Sequence, residues 1–192
     1  MRLQTLLGWT MQNSAKNESS KTIDLLSTFI YKCISLGDWK VGKTSMLKRF
    51  CDGTFSETYI PNIGCDFLTK MIKFEKANVK LVIWDIGGQR LPLNYRKRFY
   101  KGAKGVLLVF DVTRPESLPS LKEWREEALK VCGEIPFIVC GNKIDLERKI
   151  NETEAKNFAE EINSPLLFTS AKTGENIEEA YTLLAQRIHT KK

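Results

Sequence analysis

Residues 28–36 read as a buried strand and residues 43–51 as a helix, and only Gly37-Asp38-Trp39-Lys40-Val41-Gly42 lies between them. That junction restricts the chain more than any other stretch. Gly37 to Thr44 fits the pattern G-x-x-x-x-G-K-[ST], in which successive backbone N–H groups line a concavity. The helix after it adds the positive end of its dipole, so the turn is suited to holding phosphate. The expected contacts are Asp38, Trp39, Lys40, Val41, Gly42, Lys43, Thr44 and Ser45. Lys43 would reach the terminal phosphates and the Thr44 hydroxyl would ligand Mg²⁺.

The rest of the chain repeats the strand-then-helix theme. Residues 66–74 and 79–84 read as a hairpin turning at 75–78. Residues 105–110, 137–140 and 166–168 are short continuous apolar runs, the pattern of strands covered on both faces. Helical patterns occupy 117–131, 152–162 and 177–188. The alternation predicts an α/β domain with a largely parallel sheet, whose ligands bind at the carboxyl ends of the strands.

Three strand ends carry suitable chemistry. Asp85 closes the run 79–84 and leads into Ile86-Gly87-Gly88-Gln89. A carboxylate there is the expected second Mg²⁺ anchor. Gly88 can offer a backbone N–H to a terminal phosphate, and Gln89 can orient an attacking water. Asn142-Lys143-Ile144-Asp145 comes after 137–140, and Ser170-Ala171-Lys172 after 166–168. The Asp145 carboxylate can accept both the ring and exocyclic N–H groups of guanine, a pair that adenine does not offer. Ser170, Ala171 and Lys172 could cap the same base pocket.

Residues 1–27 differ in character from residues 28–192. Residues 11–22 are rich in Gln, Asn, Ser, Lys and Glu and read as a linker, while Leu3, Leu6, Leu7 and Trp9 could line one face of a short amphipathic helix. We therefore expect a flexible N-terminal extension over 1–27, with membrane contact as a second reading, and one domain over 28–192. No apolar run approaches the roughly 20 residues needed to cross a bilayer. The formal charge of +7 is spread along the chain without a cluster that would indicate nucleic acid. Five dispersed cysteines, with no zinc-ligand or redox spacing, predict free thiols and a reducing cytosol.

From about Thr28 to Ile188 these residues resemble the Ras superfamily of small GTPases, and most of all its Rab branch. The Rab-like stretches are Lys43-Thr44-Ser45-Met46-Leu47-Lys48-Arg49-Phe50, Ile63-Gly64-Cys65-Asp66-Phe67, Arg98-Phe99-Tyr100-Lys101-Gly102-Ala103, Phe110-Asp111-Val112-Thr113, and Glu116-Ser117-Leu118 before Trp124. Trp84-Asp85-Ile86-Gly87-Gly88-Gln89 is instead similar to the Arf branch. The resemblance implies a three-layer P-loop GTPase fold: a mostly parallel six-stranded sheet, one strand antiparallel, with helices on both faces. It implies binding of GDP and GTP with Mg²⁺, and Phe55 stacking on the guanine edge. It also implies two switch segments that meet protein effectors and regulators through residues 55–67 and 86–100. A monomer acting in membrane traffic, cytoplasmic or peripheral to endomembranes, goes with that likeness.

Three departures bear on mechanism. Trp39 stands where Gly or Ser is usual, beside the place that Gln89 and its water must share; a displacement of about 1 Å there can cost 10²-fold. Lys40 could lie along the phosphates and partly offset this. Asn62, in Tyr59-Ile60-Pro61-Asn62-Ile63-Gly64, replaces the Thr that brings a hydroxyl to Mg²⁺, and its amide is a poorer ligand for an ion that demands octahedral geometry. The chain ends Arg187-Ile188-His189-Thr190-Lys191-Lys192 without Cys, so a prenyl anchor is not expected here unless more polypeptide is attached. His189 is expected to be solvent-exposed.

Three functions fit these residues. The first is a Rab-like GTPase, with Gln89 and Lys43 catalytic, that binds nucleotide well and hydrolyses GTP slowly. The second is a non-catalytic guanine-nucleotide-binding scaffold, favoured by Asn62. The third is an Arf-like switch recruited to membranes, favoured by Gly87-Gly88 and the apolar N-terminus. All of them need the guanine-reading carboxylate. Replacing Asp145 with Asn should move preference from guanine towards xanthine nucleotides in a competition assay. ATP competing equally with GTP for the native protein would refute the base assignment.

Overall fold

The computed structural model describes residues 26–56, 65–87 and 93–191. A single six-stranded sheet forms the middle layer: β1 (Thr28–Leu36), β2 (Cys65–Lys73), β3 (Asn78–Ile86), β4 (Gly105–Asp111), β5 (Phe137–Asn142) and β6 (Leu166–Thr169). Their order across the sheet is β2-β3-β1-β4-β5-β6. Only the β2–β3 pair is antiparallel; β1 pairs in parallel with β3 and β4, as β4 does with β5 and β5 with β6. The expected fold is the observed one.

Strand alternation builds two cores, one on each face. On β4, Leu107 and Val109 point to the side covered by α1 (Lys43–Asp52) and α5 (Ile177–Thr190). Val106, Leu108 and Phe110 point to the side covered by α2 (Leu93–Tyr100), α3 (Leu121–Cys132) and α4 (Glu152–Glu161). Every residue of β4 and β5 is buried, which is why their sequences read as unbroken apolar runs. On the first face Phe50 of α1 stacks on Tyr181 of α5, ring centres 4.2 Å apart. α5 lies close against the sheet: a methyl group at Gly105 would come within 2.8 Å of Leu184 Cδ1.

Three details depart from the sequence reading. α3 begins at Leu121 rather than 117, and a 3₁₀ turn occupies Pro115–Ser117. The Ser117 hydroxyl is engaged elsewhere, accepting from the Asp111 N–H at 3.0 Å and donating to the Arg114 carbonyl at 2.7 Å. Pro119 lacks the N–H that a helix interior needs. The second departure is α2, whose Leu-Asn-Tyr-Arg-Lys-Arg-Phe-Tyr sequence has too few apolar residues for a periodic signal. Tertiary contacts hold it. Arg96 pairs with Glu127 at 2.8 Å and lies over the Trp124 ring, and buried Tyr100 donates to Glu127 at 3.1 Å. Third, His189 is half-buried rather than exposed. Its Nδ1 lies 3.0 Å from the Tyr31 hydroxyl and its ring 4.7 Å from that of Phe29, because the last turn of α5 still packs on β1.

The five cysteines are free, with Cys33 and Cys140 buried in the first core as expected. Leu184, fully buried between α5 and the sheet, makes a direct test of this packing. Leu184→Ala should lower unfolding free energy by about 2–5 kcal/mol, measured by urea denaturation of the nucleotide-loaded protein.

Candidate functional site: a phosphate loop and a base-side hub

The described site segments, apart from Phe55 after α1, lie at the carboxyl ends of β1, β3, β5 and β6. At the end of β1 the chain turns through Gly37 (φ 142°), Lys40 (φ 63°) and Gly42 (φ 100°) into α1. Two of those positions are sterically closed to any side chain. A Cβ on Gly37 would sit 2.0 Å from the Val109 carbonyl oxygen, and one on Gly42 would sit 2.2 Å from Asn142 Nδ2. The turn is therefore pressed against β4 and β5 with no room between.

Within the loop, Lys43 donates to the carbonyls of Gly37 at 2.7 Å and Asp38 at 2.8 Å. Asn142 Nδ2 donates to the Val41 carbonyl at 2.9 Å, and Arg114 Nη2 donates to the Trp39 carbonyl at 2.8 Å. Asp38 is buried and accepts from the Trp124 indole N–H at 2.9 Å. Trp39 is half-buried. The Lys40 ammonium, expected along the phosphates, instead lies over the Trp39 ring, 4.1 Å from its centre. Ser45 is half-buried in the first turn of α1. No side chain caps the start of that helix and its first turn has no acid, so its leading N–H groups suit an anion.

Thr44 and Asp85 are the residues expected on the metal side, and the structure brings the two together. Thr44 Oγ1 donates to Asp85 Oδ2, and Asp85 is 1% exposed at the end of β3. One hydroxyl and one carboxylate are hard oxygen ligands of the kind Mg²⁺ takes when phosphates and water complete its shell. The residues present therefore fit that ion. The expectations for Asn62, Gly88 and Gln89 fall outside the described residues.

On the base side, Asn142 is a hub. Its Oδ1 accepts from the Ala171 N–H at 3.2 Å while its amide nitrogen holds the phosphate loop. Asp145 is exposed and accepts from the buried Ser170 hydroxyl at 2.5 Å. Lys172 is exposed, and its carbonyl is fixed by Arg49 of α1, which also bonds the Ala171 carbonyl at 2.8 Å. Half-buried Phe55 packs at the edge of the first core near Arg49. Lys143 bonds Asp111, the last residue of β4.

The sequence alone assigns no role to Arg49, Asp111, Arg114 or Trp124. Asp111 stands at the carboxyl end of an apolar run, which is a usable signal. Arg49, Arg114 and Trp124 have none, because their partners are 122, 75 and 86 residues away in the chain. Burial alone would raise the Asp111 carboxyl, but hydrogen bonds from Lys143 and Thr113 hold it below the usual carboxylate range.

Lys43 shows the opposite balance. Burial lowers its ammonium to about 8, against the pull of Asp85 and Asp38. Phosphate oxygens would restore the charged form. At pH 9, above the lowered Lys43 value of about 8, binding of GDP should take up a proton. At pH 7, where Lys43 is already charged, this uptake should vanish. Calorimetry of GDP binding in buffers of different ionisation enthalpy measures both.

The geometry is that of a tight strand-to-helix turn joined through Asn142 to the loop after β6. A model of the Ras family matches residues 32–190. That span runs from β1 to the last turn of α5 and takes in every described site segment. The chain belongs to the Ras family of small GTPases, proteins that bind guanine nucleotides and hydrolyse GTP.

Proposed function

We propose that this chain is a Rab-like guanine-nucleotide switch of membrane traffic that takes GDP and GTP with Mg²⁺ and hydrolyses GTP slowly. The observation that carries the slow step is Trp39. Its backbone is held by Arg114 and its half-buried ring is faced by the Lys40 ammonium. An indole kept in this turn competes for space with a water and its orienting residue.

The remaining residues have distinct roles. Asp145 and Ser170 read the guanine edge, with Asn142 tying that loop to the phosphate turn. Lys43 stabilises the charge that develops on the terminal phosphate as water attacks. Thr44 and Asp85 would hold Mg²⁺, which would supply positive charge against the phosphates. Gln89 orients the water.

An exposed aromatic row supports a role in partner binding. Phe67 of β2 is 54% exposed and stacks on Trp84 of β3 with centres 5.5 Å apart, and Trp84 lies 6.2 Å from Phe99 of α2. An aromatic row spanning residues 67–99 is suited to protein effectors, since aromatic side chains dominate interface cores. It joins the two segments, 55–67 and 86–100, expected to meet effectors and regulators.

Trp39→Gly should accelerate single-turnover GTP hydrolysis by about tenfold or more, given the steep cost of displaced reactants, with little change in GDP affinity. Fast turnover by the native protein, unaltered by that substitution, would overturn the reading.

A further inference from the structure

The connection after β4 meets the phosphate loop at two points. One is the buried bond from Trp124 to Asp38. The other is Arg114, whose Nη2 donates to the Trp39 carbonyl at 2.8 Å while its Nε lies 3.4 Å from Asp111 Oδ2. The Asp111 side chain is 1% exposed. It also accepts from the Thr113 N–H and hydroxyl and from the Lys143 ammonium. One buried carboxylate thus orients both the guanidinium that reaches the phosphate loop and the lysine of the base-side motif.

The consequence lies in the peptide between Trp39 and Lys40. A trans peptide points its C=O and N–H in opposite directions. With the Trp39 carbonyl drawn towards Arg114, the Lys40 N–H faces the other way. The neighbouring carbonyls are committed too: those of Gly37 and Asp38 to Lys43, that of Val41 to Asn142, and that of Gly42 to the Met46 N–H. A loop with five of its carbonyls turned onto protein donors presents its N–H groups to an anion. At Lys40 this needs φ 63°, a left-handed conformation that a residue with a side chain adopts reluctantly. The bond from Arg114 fixes this peptide from outside the loop.

We propose that Arg114 is a positioning residue for the terminal phosphates. It holds the Trp39–Lys40 peptide so that the Lys40 N–H faces the phosphate, and it takes its own orientation from Asp111, shared with Lys143. The role calls for arginine. A guanidinium can donate to the Trp39 carbonyl from Nη2 while its Nε stays 3.4 Å from the Asp111 carboxylate, whereas a lysine ammonium is a single point on a flexible stem. This inference rests on the assignment of Gly37–Thr44 to nucleotide phosphates.

The test compares GDP with GMP, which lacks the outer phosphate, in competition against a fluorescent GDP analogue. Arg114→Ala should weaken GDP about tenfold, the scale of one hydrogen bond to a charged group, and leave GMP affinity unchanged. Arg114→Lys, which keeps the charge without the fork, should behave as Arg114→Ala does, and it serves alone if the alanine variant does not fold. Equal losses for GDP and GMP would mean general damage to the site and would overturn the proposal. Native GDP affinity in Arg114→Lys would overturn it as well, since charge alone would then suffice. Native protein that binds neither nucleotide would overturn the phosphate-site assignment, and the positioning role with it.

Discussion

Every peptide in a turn that binds phosphate brings a carbonyl that would repel it, and the fold of this chain is arranged so that those carbonyls go elsewhere. The Lys43 ammonium takes two of them, Asn142 a third and Arg114 a fourth. Each donor comes from a different element: the start of α1, the end of β5 and the segment after β4. The parallel sheet makes this possible, because β1, β4 and β5 deliver their carboxyl ends side by side. Close contact is part of the same requirement. Gly37 and Gly42 cannot carry a Cβ because β4 and the Asn142 side chain already fill that space.

Asn142 ties the turn after β1 to the loop after β6. A neutral amide suits the position because it must donate to one backbone and accept from another: Val41 on one side, Ala171 on the other. A carboxylate could not donate and an ammonium could not accept. Asp111 does comparable work with charge, gathering Lys143, Arg114 and Thr113 around a buried carboxylate. Such a group is stable only when fully partnered. Its partners reach both the turn after β1 and the loop after β5.

The atypical middle of the phosphate loop has its own physical logic. Trp39 and Lys40 bring bulk and a left-handed backbone to a place where small residues would be easier. The surroundings support them: Trp124 holds the preceding residue, Arg114 holds the carbonyl, and the Lys40 ammonium lies on the indole face. Binding and hydrolysis make different demands on such a loop. Binding needs only its N–H groups, while hydrolysis also needs space beside it.

The layered α/β fold, the turn between β1 and α1 and the loops at the ends of β3, β5 and β6 were legible in the amino-acid sequence. Each of these is encoded locally: buried parallel strands are continuous apolar runs, and each motif is a short stretch at a strand end. The helix α2 was not legible, because its stability comes from Arg96 and Tyr100 meeting Glu127 on α3 rather than from its own period. The start of α3 is displaced because Ser117 binds back to β4. His189 reads as a tail residue in the sequence, and only the packing of α5 carries it onto Tyr31. Tertiary structure alone decided three supports of the site, namely Arg49, Arg114 and Trp124. Their partners are backbone carbonyls and side chains far along the chain, and a carbonyl looks the same at every residue until folding brings a donor to it.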